Sequence, residues 1–282
     1  MKYEFVSAAA DSRLDHVGSY RRRLPVSLDR MYENALDWQH LPFQHSSSFS
    51  DINCIDYGGW GWRAEVTSGQ GDAASTSLLE LRLDRDARCW ITRNLQGPNA
   101  GAEIWTHVFV VSQRVLDIVV DFFVPQVPKA ARDKVGMAYA SAYELLYDED
   151  VAMMTERQRQ LDRRLDGISR DEQVLVGPVE ALSLPHLVTL SGRRFVLNRL
   201  EDSSAGEAGD WVIYPAQCPH QLGPLDQVPL IHGTVSCPWH GYVFDVTSGA
   251  CVSGGHCKFG EIPQMRLSEQ GITLYWSDSP EH

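Results

Sequence analysis

Apolar positions recur along the chain in two rhythms, and each predicts a different kind of element. Between Val26 and Gln39 they fall at Leu28, Met31, Ala35 and Trp38, the three-and-four spacing of a helix capped by Ser27 and ended by Pro42. From about Asp51 to Val124 the rhythm shortens to alternation. The runs Trp60–Val66, Ser77–Leu83, Arg88–Arg93, Ile104–Val111 and Val115–Val124 are rich in aromatic and β-branched residues. Gly58-Gly59, Gly69 to Gly71, Asp84 to Asp86 and Gly97-Pro98 separate them, as turns separate antiparallel strands. The helical spacing returns from Lys129 to Leu165, with a stripe through Val135, Tyr139, Ala142, Leu146 and Met153. A short helix, an antiparallel sheet and a long closing helix form an α+β unit in which the helix covers one sheet face.

Beyond Leu165 the pattern changes again. Asp166 to Glu172 is polar with a glycine, and it reads as the boundary between a unit of residues 1–168 and one of residues 172–282. Short strands follow around Val174, Leu187–Leu190, Arg194–Leu197, Trp211–Tyr214, Tyr242–Asp245 and Ile272–Trp276, the signature of a small all-β domain. At 282 residues the chain is long enough for two separate cores.

The net charge of −12 argues against a nucleic-acid or anionic-membrane partner, either of which needs a basic face. Arg21, Arg22 and Arg23 read as a solvated part of a polar N-terminal arm. No apolar run reaches the roughly 18 residues that span a bilayer, since Ile118 to Val124 is broken by Asp121. Met1 to Asp11 lacks the layout of a secretory signal, so the expected location is cytoplasmic. In that reducing setting six scattered cysteines are better read as ligands or core residues than as disulfides.

The cysteine spacing favours ligands. Cys218-Pro219-His220 and Cys237-Pro238-Trp239-His240-Gly241 are two Cys-then-His pairs, separated by sixteen residues. Two loops of this kind present two thiolates to one iron and two imidazoles to another, the ligand set of a Rieske [2Fe–2S] centre. Structural zinc sites usually run Cys pairs then His pairs, so zinc fits less well. At these residues, and through "CPWHGYVFDVTSG" from Cys237 to Gly249, residues 172–282 resemble the Rieske family. The respiratory branch carries a further cysteine in each loop; here Leu222-Gly223 and Trp239 stand instead. The resemblance is therefore to the ferredoxin and oxygenase branch. Cys251 and Cys257 have no matching role and read as small core residues.

A second metal motif lies at the end of the first helix. Asp37-x2-His40-x4-His45 places Asp37 and His40 one turn apart on a shared face, and Pro42 breaks the helix so that His45 can turn back. Two imidazoles and one carboxylate leave open positions on ferrous iron. On the closing helix Glu149 and Asp150 both fall within the apolar stripe, where an unpaired carboxylate is costly, and periodicity leaves the choice between them open. Together the two motifs resemble the Rieske non-heme iron oxygenases, with the domain order reversed. The resemblance implies a helix-grip, START-like catalytic fold, mononuclear Fe(II) held by His40, His45 and Asp150, and a glutamine eight residues on at Gln158. It also implies that Asp37 bridges the two centres, that the chain forms a homo-oligomer, commonly a head-to-tail trimer, and that O2 oxidises a small organic substrate.

No glycine-rich nucleotide fingerprint appears, so a separate NAD(P)H-dependent reductase or ferredoxin is the expected electron donor. The rival reading is an electron-transfer Rieske ferredoxin fused to a non-catalytic helix-grip ligand-binding domain. Trp60, Trp62, Trp90 and Phe109 are candidates for a pocket wall or the sheet core, and His107 reads as a core histidine.

Overall fold

The computed structural model describes residues 14–163, 169–200 and 211–276. The expectations for Met1 to Asp11, for the last two residues of the long helix and for the start of the Asp166–Glu172 boundary lie outside the described residues. Packing divides the chain into two compact units, Met1–Thr155 and Glu156–His282.

In the first unit the elements run β1 (Leu14–Leu24), α1 (Leu28–Leu36), α2 (Leu41–Gln44), β2 (Asp51–Gly58), β3 (Gly61–Ser68), β4 (Ser75–Asp84), β5 (Cys89–Gln96), β6 (Glu103–Ser112), β7 (Val115–Pro125) and the greater part of α3 (Arg132–Arg163), whose residues from Glu156 on belong to the second unit. The strands form one antiparallel sheet in the order β1-β7-β6-β5-β4-β3-β2. This is an α+β helix-grip architecture, with the long helix packed on the inner sheet face. Strand β7 shows the alternation most clearly: Leu116, Ile118, Val120 and Phe122 are buried, while Asp117 and Asp121 point to the other face. Asp121 thus marks a half-buried strand, not a break in the apolar run.

Three expectations change. The polar arm contains β1, whose inward Val17 and Leu24 are buried while Arg23 points outward and donates to Asp117 of β7 at 2.8 and 2.9 Å. Sequence reasoning missed it because its inward positions include Gly18 and Arg22, which lower the apparent alternation. The first helix ends at Leu36, and a 3-10 turn, Trp38–His40, leads into α2. Pro42 opens α2 instead of ending α1, because a proline in a first turn gives up only an N–H that would have no partner there. Asp37 and His40 therefore do not share an α-helical face. Finally, Ala142 is exposed; the core stripe of α3 runs through Tyr139, Tyr143, Tyr147 and Met154.

The helix meets the sheet at Gly136. A Cβ there would lie 2.2 Å from the carbonyl oxygen of Val17 on β1, so only glycine allows this approach. Further along, Phe122 packs its ring 5.2 Å from Tyr139 and 5.3 Å from Tyr143, between centroids.

The second unit consists of β8 (Gln173–Leu175), β9 (His186–Leu190), β10 (Arg193–Arg199), β11 (Trp211–Pro215), β12 (Thr234–Ser236), β13 (Val243–Asp245), β14 (Gln264–Ser268) and β15 (Gly271–Tyr275). They make three small antiparallel sheets, β11-β10-β9, β12-β13 and β14-β15-β8. Phe195, Leu197, Ile213, Leu274 and Trp276 form the core between the outer two. Trp276 Nε1 donates to Ser191 Oγ at 2.9 Å, which satisfies the one polar atom of a fully buried indole. No helix among the described residues is long and apolar enough to cross a membrane.

Replacing Gly136 with alanine would gain up to about 1 kcal/mol in an open helix. Here the new methyl meets backbone that has no rotamer to move, and overpacking of this kind costs roughly 1–3 kcal/mol. Gly136→Ala is expected to lower the urea midpoint of the first unit's unfolding; an unchanged or raised midpoint would show that the helix can lift off β1 without loss.

Candidate metal centres

Three elements of the first unit converge on one point. The 3-10 turn supplies His40, the residue after α2 supplies His45, and the core face of α3 supplies Asp150; all three are buried. His40 Nε2 and His45 Nε2 are 3.2 Å apart, and Asp150 Oδ1 lies 3.5 Å from the first and 3.0 Å from the second. Donors at adjacent positions around a metal with bonds of about 2.1 Å are separated by about 3 Å, so this spacing fits one first-row ion. Asp150 feels burial first, which pushes its carboxyl up, but contact with His40 and His45 outweighs it and holds the group well below the usual range.

The groups behind the imidazoles fix their orientation. His45 Nδ1 donates to Glu149 Oε2 at 2.6 Å, which leaves the Nε2 lone pair free to face the other two donors. Burial lowers His45, yet Asp150 and Glu149 together raise it. Asn34 Nδ2 donates to Asp150 Oδ1 at 2.9 Å. Periodicity left Glu149 and Asp150 equivalent; the structure separates them, with Asp150 facing the two Nε2 atoms and Glu149 behind His45. Nothing in the sequence marked Asn34, because its role depends on α1 crossing α3.

Asp37 caps the C-terminal end of α1, its backbone N–H donating to Asn34 O and Glu33 O. Its Oδ2 lies 3.9 Å from His40 Nδ1, beyond hydrogen-bonding range, and that buried nitrogen has no hydrogen-bond partner among the described residues. Asp37 and His40 are therefore not hydrogen-bonded to each other in this arrangement. Gln158 turns elsewhere, donating to Asp162 at 2.9 Å.

A cavity of about 130 Å³ opens onto the three donors, walled by Phe49, Trp62, Leu79, Leu81 and Trp90, with Asn34, Asp37, Thr92 and Thr106 among its polar points. Phe109 is exposed, and Trp60 is not part of the wall but lies under the Arg82 guanidinium, 5.7 Å from its ring centre. His107 is half-buried beside Trp105, with 6.1 Å between ring centroids.

In the second unit two loops repeat one backbone design. Cys218 N–H donates to Gly223 O at 2.8 Å and Leu222 N–H to Cys218 O at 2.9 Å; Cys237 N–H donates to Tyr242 O at 2.8 Å and Gly241 N–H to Cys237 O at 2.9 Å. The residue four after each cysteine has positive φ, 68° at Leu222 and 65° at Gly241. The twin turns bring the Cys218 and Cys237 sulfurs into hydrogen-bonding contact in full burial, and contact with Cys218 holds the Cys237 thiol well below its ordinary value. His220 and His240 meet edge to face with centroids 4.6 Å apart. Tyr242, unmarked in the sequence reading, packs on both rings at 4.8 and 6.3 Å. At Gly223 a Cβ would lie 2.8 Å from Cys237 Sγ and 3.0 Å from the Trp239 ring. Two sulfurs and two imidazoles so arranged fit the two ends of a [2Fe–2S] cluster.

Residues 172–265 match the family described as the Rieske [2Fe-2S] domain, so the second unit carries a Rieske domain and the donor set for its cluster. Pheophorbide a oxygenase, chloroplastic, from Oryza sativa subsp. japonica is 31% identical over 86 residues. That match covers 26% of this chain and only 16% of the relative's length. Among solved structures, a START superfamily protein from Mycobacterium smegmatis has a TM-score of 0.41 at 12% identity, covering 49% of this chain and 95% of that one. Norcoclaurine synthase from Thalictrum flavum has a TM-score of 0.39 at 14% identity, covering 55% and 96%. Neither of these two likenesses bears on activity.

Removing the carboxylate behind a metal-bound imidazole typically costs roughly ten- to a hundredfold in affinity. Glu149→Gln is therefore expected to weaken ferrous iron binding at His40, His45 and Asp150 by that factor while the cluster absorption stays unchanged, read by anaerobic iron titration. Equal affinity in the variant would mean that Glu149 does not orient His45.

Proposed function

We propose that the chain is the oxygenase component of a Rieske non-heme iron system. The observation that carries this reading is the buried convergence of His40 Nε2, His45 Nε2 and Asp150 Oδ1 on a largely apolar cavity, in a chain that also carries a Rieske domain. When bound, the cluster supplies electrons singly, and ferrous iron at the three donors supplies open positions where O2 and an organic substrate meet.

The chain's residues do the rest. Glu149 holds the His45 proton at Nδ1 and so keeps Nε2 a donor, while Asn34 fixes the Asp150 carboxylate. Trp62, Trp90, Leu79 and Phe49 exclude water and position the substrate's reacting bond. The cavity volume is close to that of a benzene-binding cavity, about 150 Å³, so the part of the substrate enclosed there is a small apolar group about the size of one ring. Asp37, outside His40, is proposed as the carboxylate through which the two centres communicate, within one chain or between copies in a homo-oligomer. A separate NAD(P)H-dependent reductase or ferredoxin delivers the electrons.

Purified protein is expected to contain acid-labile sulfide and three irons per chain, two in the cluster and one mononuclear. Two irons would favour a Rieske electron carrier fused to a ligand-binding domain. Asp150→Ala should remove the mononuclear iron and O2-dependent substrate turnover but leave the cluster spectrum intact; turnover that survives the loss would end the oxygenase reading. Asp37→Asn replaces one acceptor oxygen with a donor of nearly equal shape. It should keep both metals and reduction of the cluster, yet slow single-turnover product formation steeply; cluster oxidation coupled to product at the unaltered rate would remove Asp37 from the route.

A further inference from the structure

Two cysteines remain outside both centres, and they face each other. Ala250 and Lys258 pair as an antiparallel bridge, and Phe259 N–H donates to Gly249 O at 2.8 Å. Continuing that register sets Cys251 opposite Cys257, and directly opposed residues of an antiparallel pair have Cα atoms about 4.5–5.5 Å apart, inside the range that a disulfide spans. Cys251 Sγ lies 3.5 Å from Ser253 Oγ, and each of the two thiols is within electrostatic reach of the other. Neither is a core residue, contrary to the sequence expectation: both are half-buried thiols, and Val252, Ser253, His256 and Lys258 around them are exposed. Gly255 makes room for the pair, since a Cβ there would lie 3.0 Å from Cys251 Sγ.

We propose that Cys251 and Cys257 form a hydroperoxide-reactive dithiol that closes to a disulfide next to the cluster loops. The Cys251 sulfur attacks the terminal peroxide oxygen, forming S–O as O–O breaks, and the departing oxygen leaves with the proton that Cys251 gave up, as water from hydrogen peroxide or as the alcohol from an organic hydroperoxide. The Cys257 sulfur then attacks Cys251, forming S–S as S–O breaks, and water leaves with the Cys257 proton. The peroxide gains two electrons and the two thiols lose two.

The surroundings assign the order. Partial burial pushes the Cys251 thiol up, but hydrogen bonds from the Ser253 hydroxyl, the Ser253 and Gly255 backbone and Cys257 outweigh it and leave Cys251 below its ordinary value. Burial and the neighbouring Cys251 push Cys257 up, so Cys251 is the attacking sulfur and Cys257 the resolving one. Gly255 lies against both Cys251 and the ring of Tyr242, which packs on His220 and His240, so the pair borders the cluster loops. The proposal does not rest on the oxygenase reading.

Cys54 provides an internal control, because it is likewise half-buried but its thiol is raised by burial, with no partner cysteine in contact. Cluster-loaded protein is treated with limiting hydrogen peroxide, quenched by alkylation and mapped by mass spectrometry. A Cys251–Cys257 disulfide should form before Cys54 is oxidised, since Cys251 has the lowered thiol and an opposed second cysteine while burial raises Cys54. Dithiothreitol should reverse it, with the cluster spectrum unchanged. In Cys257→Ser, Cys251 should stop at a sulfenic acid that a 1,3-dione probe traps; in Cys251→Ser, Cys257 should remain a thiol. Oxidation of Cys54 at the same rate or faster would overturn the proposal. So would cross-linking of Cys218 to Cys237 with loss of the cluster while Cys251 and Cys257 remain alkylatable.

Discussion

Asp150 is a carboxylate buried on the core face of a long helix, and the first unit is arranged around the cost of that burial. An ionised carboxylate moved into protein interior carries an effective penalty of about several kcal/mol unless it is paired and hydrogen-bonded. Here two imidazoles approach within 3.5 Å and the Asn34 amide donates to the same oxygen. For both histidines to reach one oxygen, the chain after α1 must turn twice within a few residues. Ending α1 at Leu36, tightening into the 3-10 turn and opening α2 on Pro42 accomplish this. An unoriented imidazole pair would offer a proton to the shared point as readily as a lone pair; Glu149 removes that ambiguity for His45.

The sheet supplies the other half of the constraint. Gly136 lets α3 lie against β1 at backbone distance, and from there the tyrosines of α3 fill the inner face between helix and strands. Tyr143, half-buried, and Tyr147, buried, sit beside Asp150, where burial keeps their phenols protonated far above neutral pH. They lower the local polarity without adding a competing charge. The cavity is what remains where Trp62, Trp90, Leu79 and Leu81, on neighbouring strands, do not reach the helix.

In the Rieske unit precision comes from repetition. Two loops with the same pair of backbone hydrogen bonds present their cysteines in the same way, and the positive φ four residues later turns each chain back. At Leu222 that conformation carries a steric cost that Gly241 avoids. The gain lies next door, where only glycine fits between Cys237 Sγ and Trp239.

The sequence by itself determined the element types and both ligand motifs, because each depends on local spacing. Alternation in Val115–Val124, the helical stripe of α3 and the paired Cys-x-His and Cys-x2-His loops are all written within a few neighbouring residues. It did not show β1, whose inward positions are not uniformly apolar, or the short β12 and β14, which have too few residues for a period to register. Periodicity also left Glu149 and Asp150 equivalent, because adjacent residues on a helix differ by a rotation whose meaning depends on what the helix faces, and only the family resemblance pointed to Asp150. The tertiary structure set Asp150 toward both imidazoles with Glu149 behind His45, recruited Asn34 and Tyr242, and set Cys251 against Cys257. Each of these contacts joins segments that no sequence period relates, so each exists only once backbone pairing and packing within its own unit have fixed the distances.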